Sequence, residues 1–113
     1  MLIRLVGRLA DIPQDAMLPY LQANILSTLY IVQAALPYLR STGGRVVVVS
    51  SGASTGDYAA WGLYSMSKAA QNSLVRTLAS EEKSNGVAFF AIRPGKVDVG
   101  HLSFSIVRRA DIA

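Results

Sequence analysis

The sequence predicts an α/β fold built on a parallel sheet, and three observations carry the prediction. Apolar residues recur at helical spacing from Leu18 to Leu39, a β-branched run follows at 45–50, and the same alternation returns at 62–83 and 87–93. The order helix, strand, helix, strand then calls for a right-handed crossover between two parallel strands.

The first helix is expected over 14–39. Its stripe is Leu18, Leu21, Ile25, Leu29, Val32, Leu36 and Leu39, in steps of three and four. Pro37 to Arg40 should fray it, and Ser41-Thr-Gly-Gly44 should stop it. Ala16 to Leu39 carries no charge, and that length could cross a bilayer. Gln22, Asn24, Gln33, two prolines and the one-sided stripe argue instead for a buried amphipathic helix, so no membrane association is expected.

Arg45-Val-Val-Val-Val-Ser50 shows no polar alternation, the pattern of a strand covered by helices on both faces. Ser51 to Ala60 reads as a small-residue loop. The second helix, over 62–83, should bury Leu63, Met66, Leu74 and Leu78, and Asn85-Gly86 ends it. Val87 to Arg93 is the second strand, stopped by Arg93-Pro94-Gly95.

Composition bounds the function. The chain of 113 residues fits one domain, at 51% hydrophobic and 16% charged. The absence of cysteine excludes a disulfide framework, and one histidine, His101, gives no support to a metal site. Arg4 falls inside the opening apolar run, unlike a secretory signal, so a cytoplasmic protein is expected. The formal charge is +4, but Arg108-Arg109 is the only adjacent basic pair and no aromatics interleave. Nucleic acid is therefore not an expected partner.

Tyr64 and Lys68 stand at i and i+4, so they share a helix face. A free phenol, with a pKa of about 10, is a poor acid–base catalyst at neutral pH, and a neighbouring ammonium lowers that value. Ser51 lies just past the strand, where ligand crevices of open parallel sheets form. Read singly, each has a plainer alternative. Tyr64 and Lys68 could be a surface helix pair, Asn24 an exposed helix position, Ser50 and Ser51 strand-end turn residues, and Trp61 packing or a substrate wall. A rival motif, Gly52-Ala-Ser54-Thr-Gly56, matches a nucleophile elbow. Asp57-Tyr-Ala-Ala60 separates it from the next helix, and His101 lies only three residues after Asp98, so a serine hydrolase is disfavoured.

Taken together, the segments Gly44-Arg-Val-Val-Val-Val-Ser-Ser51, Tyr64-Ser-Met-Ser-Lys68-Ala-Ala and Arg93-Pro94-Gly95-Lys-Val97 resemble the short-chain dehydrogenase/reductase family. Ser-Ser-Gly-Ala-Ser and Trp61-Gly-Leu-Tyr64 are most similar to its sepiapterin-reductase and benzil-reductase branch. The resemblance spans roughly Gly7 to Val97 and implies a partial Rossmann-type fold, a doubly wound parallel sheet. It implies a catalytic tetrad of Asn24, Ser51, Tyr64 and Lys68. Tyr64 would protonate a substrate carbonyl as hydride arrives from NADP or NAD, with NADP favoured by the branch. Lys68 would lower the Tyr64 pKa and hold the nicotinamide ribose, Ser51 would steady the substrate oxygen, and Asn24 would position a water in a proton relay to Lys68. Pro94, Gly95 and Val97 would pass beside the nicotinamide. Small carbonyl or alcohol compounds are the implied substrates, and pairing of the two long helices the implied homo-oligomer.

The sequence departs from the family in three places. No G-x-G occurs, so the glycine-rich turn that cradles a pyrophosphate, and with it the N-terminal nucleotide-binding half, is expected to be missing. Val99 stands where many members have threonine, and 100–113 forms a divergent tail that matches neither the usual lid nor the last strand. The chain is therefore expected to be inactive by itself, the alternative being a non-catalytic remnant that acts as an interaction module.

Overall fold

The computed structural model describes residues 6–95. Strands β1 (Arg45–Val49) and β2 (Ala88–Ile92) pair in parallel, with Arg45 opposite Ala88 and Val49 opposite Ile92. Ser50 N–H donates to the Ile92 carbonyl at 2.7 Å, carrying the ladder one step past β1. Helix α3 (Gly62–Glu81) bridges the strands, followed by a tight turn at Lys83–Asn85 and Gly86 at φ 74. Only glycine adopts that left-handed conformation freely, so the chain turns there into β2.

Upstream, the run expected to fray near Pro37 stays helical to Thr42. It comprises α1 (Gln14–Leu21), a π turn at Gln22–Leu26 and α2 (Ser27–Thr42), with Pro19 and Pro37 both inside. Pro37 cannot donate to Gln33, but both residues face solvent, where water can satisfy the Gln33 carbonyl. The helix stops at Gly43, φ 64.

The π turn also corrects the expected stripe. It adds a residue to one turn, so the buried face upstream of it moves by about one position. Leu18, expected inside, is exposed, whereas Tyr20 and Asn24 are buried. Downstream the stripe holds: Val32 is buried and Leu36 and Leu39 pack beside it.

The main core joins Val32 of α2, Val75 and Leu78 of α3, Val48 of β1, and Val87, Phe89 and Ala91 in and beside β2. Each of these Val, Leu and Phe side chains contributes roughly 1.5–3 kcal/mol on burial. A second cluster of Ile12, Tyr20 and Leu63 closes the other end of α3. Met66, expected on the buried side of α3, is exposed because the inward face runs through Leu63, Ser67 and Gln71 instead.

The sheet corrects a further expectation. Val48 faces the core, but Val47 and Val49 are 57% and 53% exposed and Phe90 is 37% exposed. The described helices cover one face of the sheet and leave the other open. At the far end, Arg40 makes a two-pronged bond to the Glu82 carboxylate, joining the C-terminal ends of α2 and α3. Arg40, and then Asn85, hold the Glu82 carboxyl down to about 2. Among the described residues, no helix is long and apolar enough to cross a membrane.

Candidate active site

Parallel pairing brings the C-terminal ends of β1 and β2 side by side. Ser51 leaves one strand and Pro94-Gly95 the other at the same edge, where open parallel sheets form their crevices. Gly95 adopts φ 71, and a Cβ there would meet nothing within 4 Å among the described residues. Val97 lies outside the described residues.

Helix α3 carries Tyr64 and Lys68 to this edge. The Lys68 ammonium lies 5.7 Å from the centre of the Tyr64 ring. It donates to the Val49 carbonyl at 2.9 Å, and so sits at the end of β1, two residues before Ser51 in the chain. Lys68 is only 5% exposed, and burial pushes its pKa below the usual lysine value. Two of its three protons point to Val49 and Gln71, leaving one donor for an oxygen ligand. Trp61 meets the Tyr64 ring edge-on at 5.7 Å and 75°. Just before it, Ala60 adopts φ 67, a left-handed conformation that costs a non-glycine residue roughly 1–2 kcal/mol. The Gly7 N–H donates to the Ala60 carbonyl at 2.8 Å and helps hold that bend.

Ser51 is positioned by its own turn and by α3. Its hydroxyl accepts from the Ala53 N–H at 3.2 Å, opening the tight turn Gly52–Ser54. Asn72 clamps the turn at both ends: the Ser50 hydroxyl donates to Asn72 Oδ1 at 2.6 Å, and Asn72 Nδ2 donates to Ser54 at 2.9 Å. The Ser51 hydroxyl retains its own donor capacity toward a ligand.

Asn24 sits in the π turn, buried and not exposed. Its side chain donates to the Tyr20 carbonyl at 2.9 Å, and its main-chain carbonyl accepts from Gln71 Nε2 at 2.8 Å. Gln71 Oε1 accepts from Lys68 at 3.3 Å. The Gln71 carboxamide thus joins Asn24 to Lys68, the two residues between which the resemblance implies a water. Tyr20 adds a buried phenol nearby. Burial pushes its pKa up, the Ser67 hydroxyl partly offsets this, and the Tyr64 phenol adds to it.

Sequence reasoning passed over Gln71, Asn72 and Tyr20. One signal was available: the inward phase of Leu63 runs on to Ser67 and Gln71, polar residues where an apolar stripe belongs.

Comparison with known proteins matches this architecture. The short chain dehydrogenase profile matches residues 3–106. An uncharacterised oxidoreductase of Schizosaccharomyces pombe is 40% identical over 93 residues, 82% of this chain and 37% of its own. A benzil reductase of Saccharomyces cerevisiae, forming (S)-benzoin, is 44% identical over 77 residues, 66% of this chain and 29% of its own. A solved short-chain dehydrogenase/reductase from Saccharomyces cerevisiae superposes with a TM-score of 0.79 at 38% identity, covering 87% of this chain and 38% of that one. An alcohol dehydrogenase from Thermococcus sibiricus, complexed with 5-hydroxy-NADP, gives 0.75 at 32% identity, covering 83% and 39%. The fold is thus the α/β, Rossmann-type one, and the chain belongs to the short-chain dehydrogenase family. It spans well under half the length of these relatives.

Proposed function

We propose that this chain is the catalytic portion of an NAD(P)-dependent oxidoreductase that reduces a carbonyl, or oxidises the matching alcohol, with Tyr64 as acid–base. The observation that carries this reading is the buried Lys68 ammonium, fixed on the Val49 carbonyl at the strand ends and 5.7 Å from the Tyr64 ring. Among the described residues this lysine has no carboxylate partner, a burial that is costly for the fold, and such groups cluster where chemistry needs them.

The nicotinamide, when bound, supplies or accepts hydride. The residues present fit its ribose end. Among the described residues, Lys68 retains one donor for a ribose hydroxyl, Tyr64 lies beside it, and no side chain comes near the Gly95 side of the Pro94-Gly95 turn. Val97 completes the cofactor set by its place after that turn. Ser51 donates to the substrate oxygen and orients it toward Tyr64. Tyr64 delivers its proton to that oxygen as negative charge develops there, and Lys68 stabilises the phenolate left behind. Asn24 acts from behind, through Gln71. NADP is favoured over NAD, in keeping with the NADP analogue carried by the Thermococcus relative. The benzil reductase similarity points to small diketones as substrates.

The test is carbonyl reduction by a restored full-length protein, in which this chain is joined to a glycine-rich nucleotide-binding half, and by its Tyr64→Phe variant. Turnover should fall by at least the 10²–10⁴-fold that a positioned proton donor contributes. Near-normal turnover in Tyr64→Phe refutes the role. The 113-residue chain alone should show neither saturable micromolar NADPH binding by calorimetry nor turnover of a diketone, since it carries no glycine-rich pyrophosphate turn.

A second reading, a non-catalytic interaction module, draws on the open sheet face at Val47, Val49 and Phe90. A stably expressed short chain whose transcript encodes no upstream glycine-rich turn would favour it.

A further inference from the structure

Gln71 is a buried polar side chain, at 8% exposed. Its Nε2 spends both hydrogens on the helical run across from it, donating to the Asn24 carbonyl at 2.8 Å and to Thr28 Oγ1 at 3.3 Å. Its Oε1 is thereby turned to Lys68 Nζ, 3.3 Å away. Chemistry fixes this orientation. A flipped amide would set Oε1 against the Asn24 carbonyl, acceptor to acceptor, and its NH₂ against the ammonium, donor to donor. The receiving carbonyl belongs to the π turn Gln22–Leu26, where the widened helix departs from the regular ladder.

We propose that Gln71 is a positioning residue for Lys68, its carboxamide tying the Asn24 turn to the lysine ammonium and holding that ammonium at the end of β1. This rests on the reading of Lys68 as the cationic partner of Tyr64. A carboxamide transmits hydrogen-bond polarity but does not readily hand on a proton, so the link from Asn24 to Lys68 is mechanical and electrostatic. It is not a proton path. The groups facing Lys68 are the Val49 carbonyl of β1, the Tyr64 ring and Gln71 of its own helix and, beyond Tyr64, the Tyr20 phenol of α1. Gln71 is thus the one side-chain acceptor seen on the ammonium among the described residues, and its replacement should change what the charge experiences.

The experiment follows the reaction of individual lysines with an amine-selective acylating reagent against pH, read by mass spectrometry in the full-length protein. Only the neutral amine reacts, so the midpoint of each curve reports that lysine's titration. A change of access scales the rate at every pH and leaves the midpoint in place. Lys83, exposed beyond α3, is the internal reference. In Gln71→Leu the Lys68 midpoint should fall by about half a pH unit or more, and in Gln71→Glu it should rise by as much, because an acceptor is removed in one and a charge added in the other. The Lys83 midpoint should not move. An unmoved Lys68 midpoint, or shifts of the same sign in both variants, overturns the proposal. If Gln71→Leu fails to fold, the nearly isosteric Gln71→Glu decides alone, an unmoved midpoint again refuting it. Opposite shifts with no change of turnover in Tyr64→Phe would retain the tie and refute the catalytic reading. Unmoved midpoints with turnover lost in Tyr64→Phe would refute the tie alone.

Discussion

The two halves of α3 follow one helical period but bury opposite chemistries. In its C-terminal half the inward residues are Val75 and Leu78, packed on Val48, Phe89 and Ala91. In its N-terminal half, beyond Leu63, they are Ser67, Lys68 and Gln71, followed at the midpoint by Asn72, all of them buried. The apolar half needs no explanation beyond burial. The polar half gives up that stabilisation and must satisfy a lysine, two carboxamides and their neighbours through bonds to Val49, Asn24, Thr28, Ser50 and Ser54. Its position at the end of β1 gives the reason under the proposed function: this half would serve the site and the other the fold.

The sharpest break between the halves should come from truncation. Leu78→Ala should destabilise the protein by about 2–5 kcal/mol, as removal of a buried core side chain does. Asn72→Ala should cost less, about 1–3 kcal/mol, chiefly by leaving the Ser50 hydroxyl without its acceptor. Its second effect should be loss of turnover, because the turn carrying Ser51 is released. Chemical denaturation and turnover on the same samples separate the two. Equal costs with no change in turnover would mean that Asn72 is merely structural.

These halves were unequally legible in the sequence. The β-branched run 45–50 and the apolar run 87–93 signalled their strands because short, buried strands need little more than Val, Ile and Phe. Their bounds shift inward to Arg45–Val49 and Ala88–Ile92 once pairing decides them. The Tyr64–Lys68 spacing signalled a shared face. Gln71 and Asn72 were not legible, because a polar residue in a helix is ordinarily a solvated one, and only packing against Asn24 and Ser54 makes these two interior. The π turn was hidden for a related reason: no local propensity marks it, and Leu18 was assigned inward by a period that the turn resets. The same limit applies to β1. Four consecutive valines read as covered on both sides, but what covers Val47 and Val49 is not encoded in the run itself.

That open face gives the next prediction. The 113-residue chain, expressed alone, should self-associate through its exposed sheet, since uncovered apolar strands and their free edges seek partners. Light scattering showing a monodisperse monomer would contradict this.

A smaller effect is expected where the apolar half ends. The Glu82 carboxyl is held down to about 2 in the folded chain, well below the usual carboxylate range, by Arg40 and then by Asn85. A depressed carboxylate contributes stability that is fully present above its unfolded pKa and lost as pH falls through the folded one. The loss should therefore run from roughly pH 5 down to about 2, and Arg40→Gln should reduce it. Thermal melts of both proteins across that window check the point. Identical acid profiles would show the pair to be silent.

The measurement closest to the central claim is Lys68→Met in the full-length protein, with stability and carbonyl reduction read together. Methionine matches the length of the lysine stem and removes the buried charge, so the fold should be left within about 1 kcal/mol of wild type or made more stable. Turnover should fall at least a hundredfold, with the loss of the cation that assists Tyr64. A variant destabilised as severely as Leu78→Ala, yet reducing carbonyls at a near-normal rate, would show that the polar half of α3 is there for the fold and contradict the account.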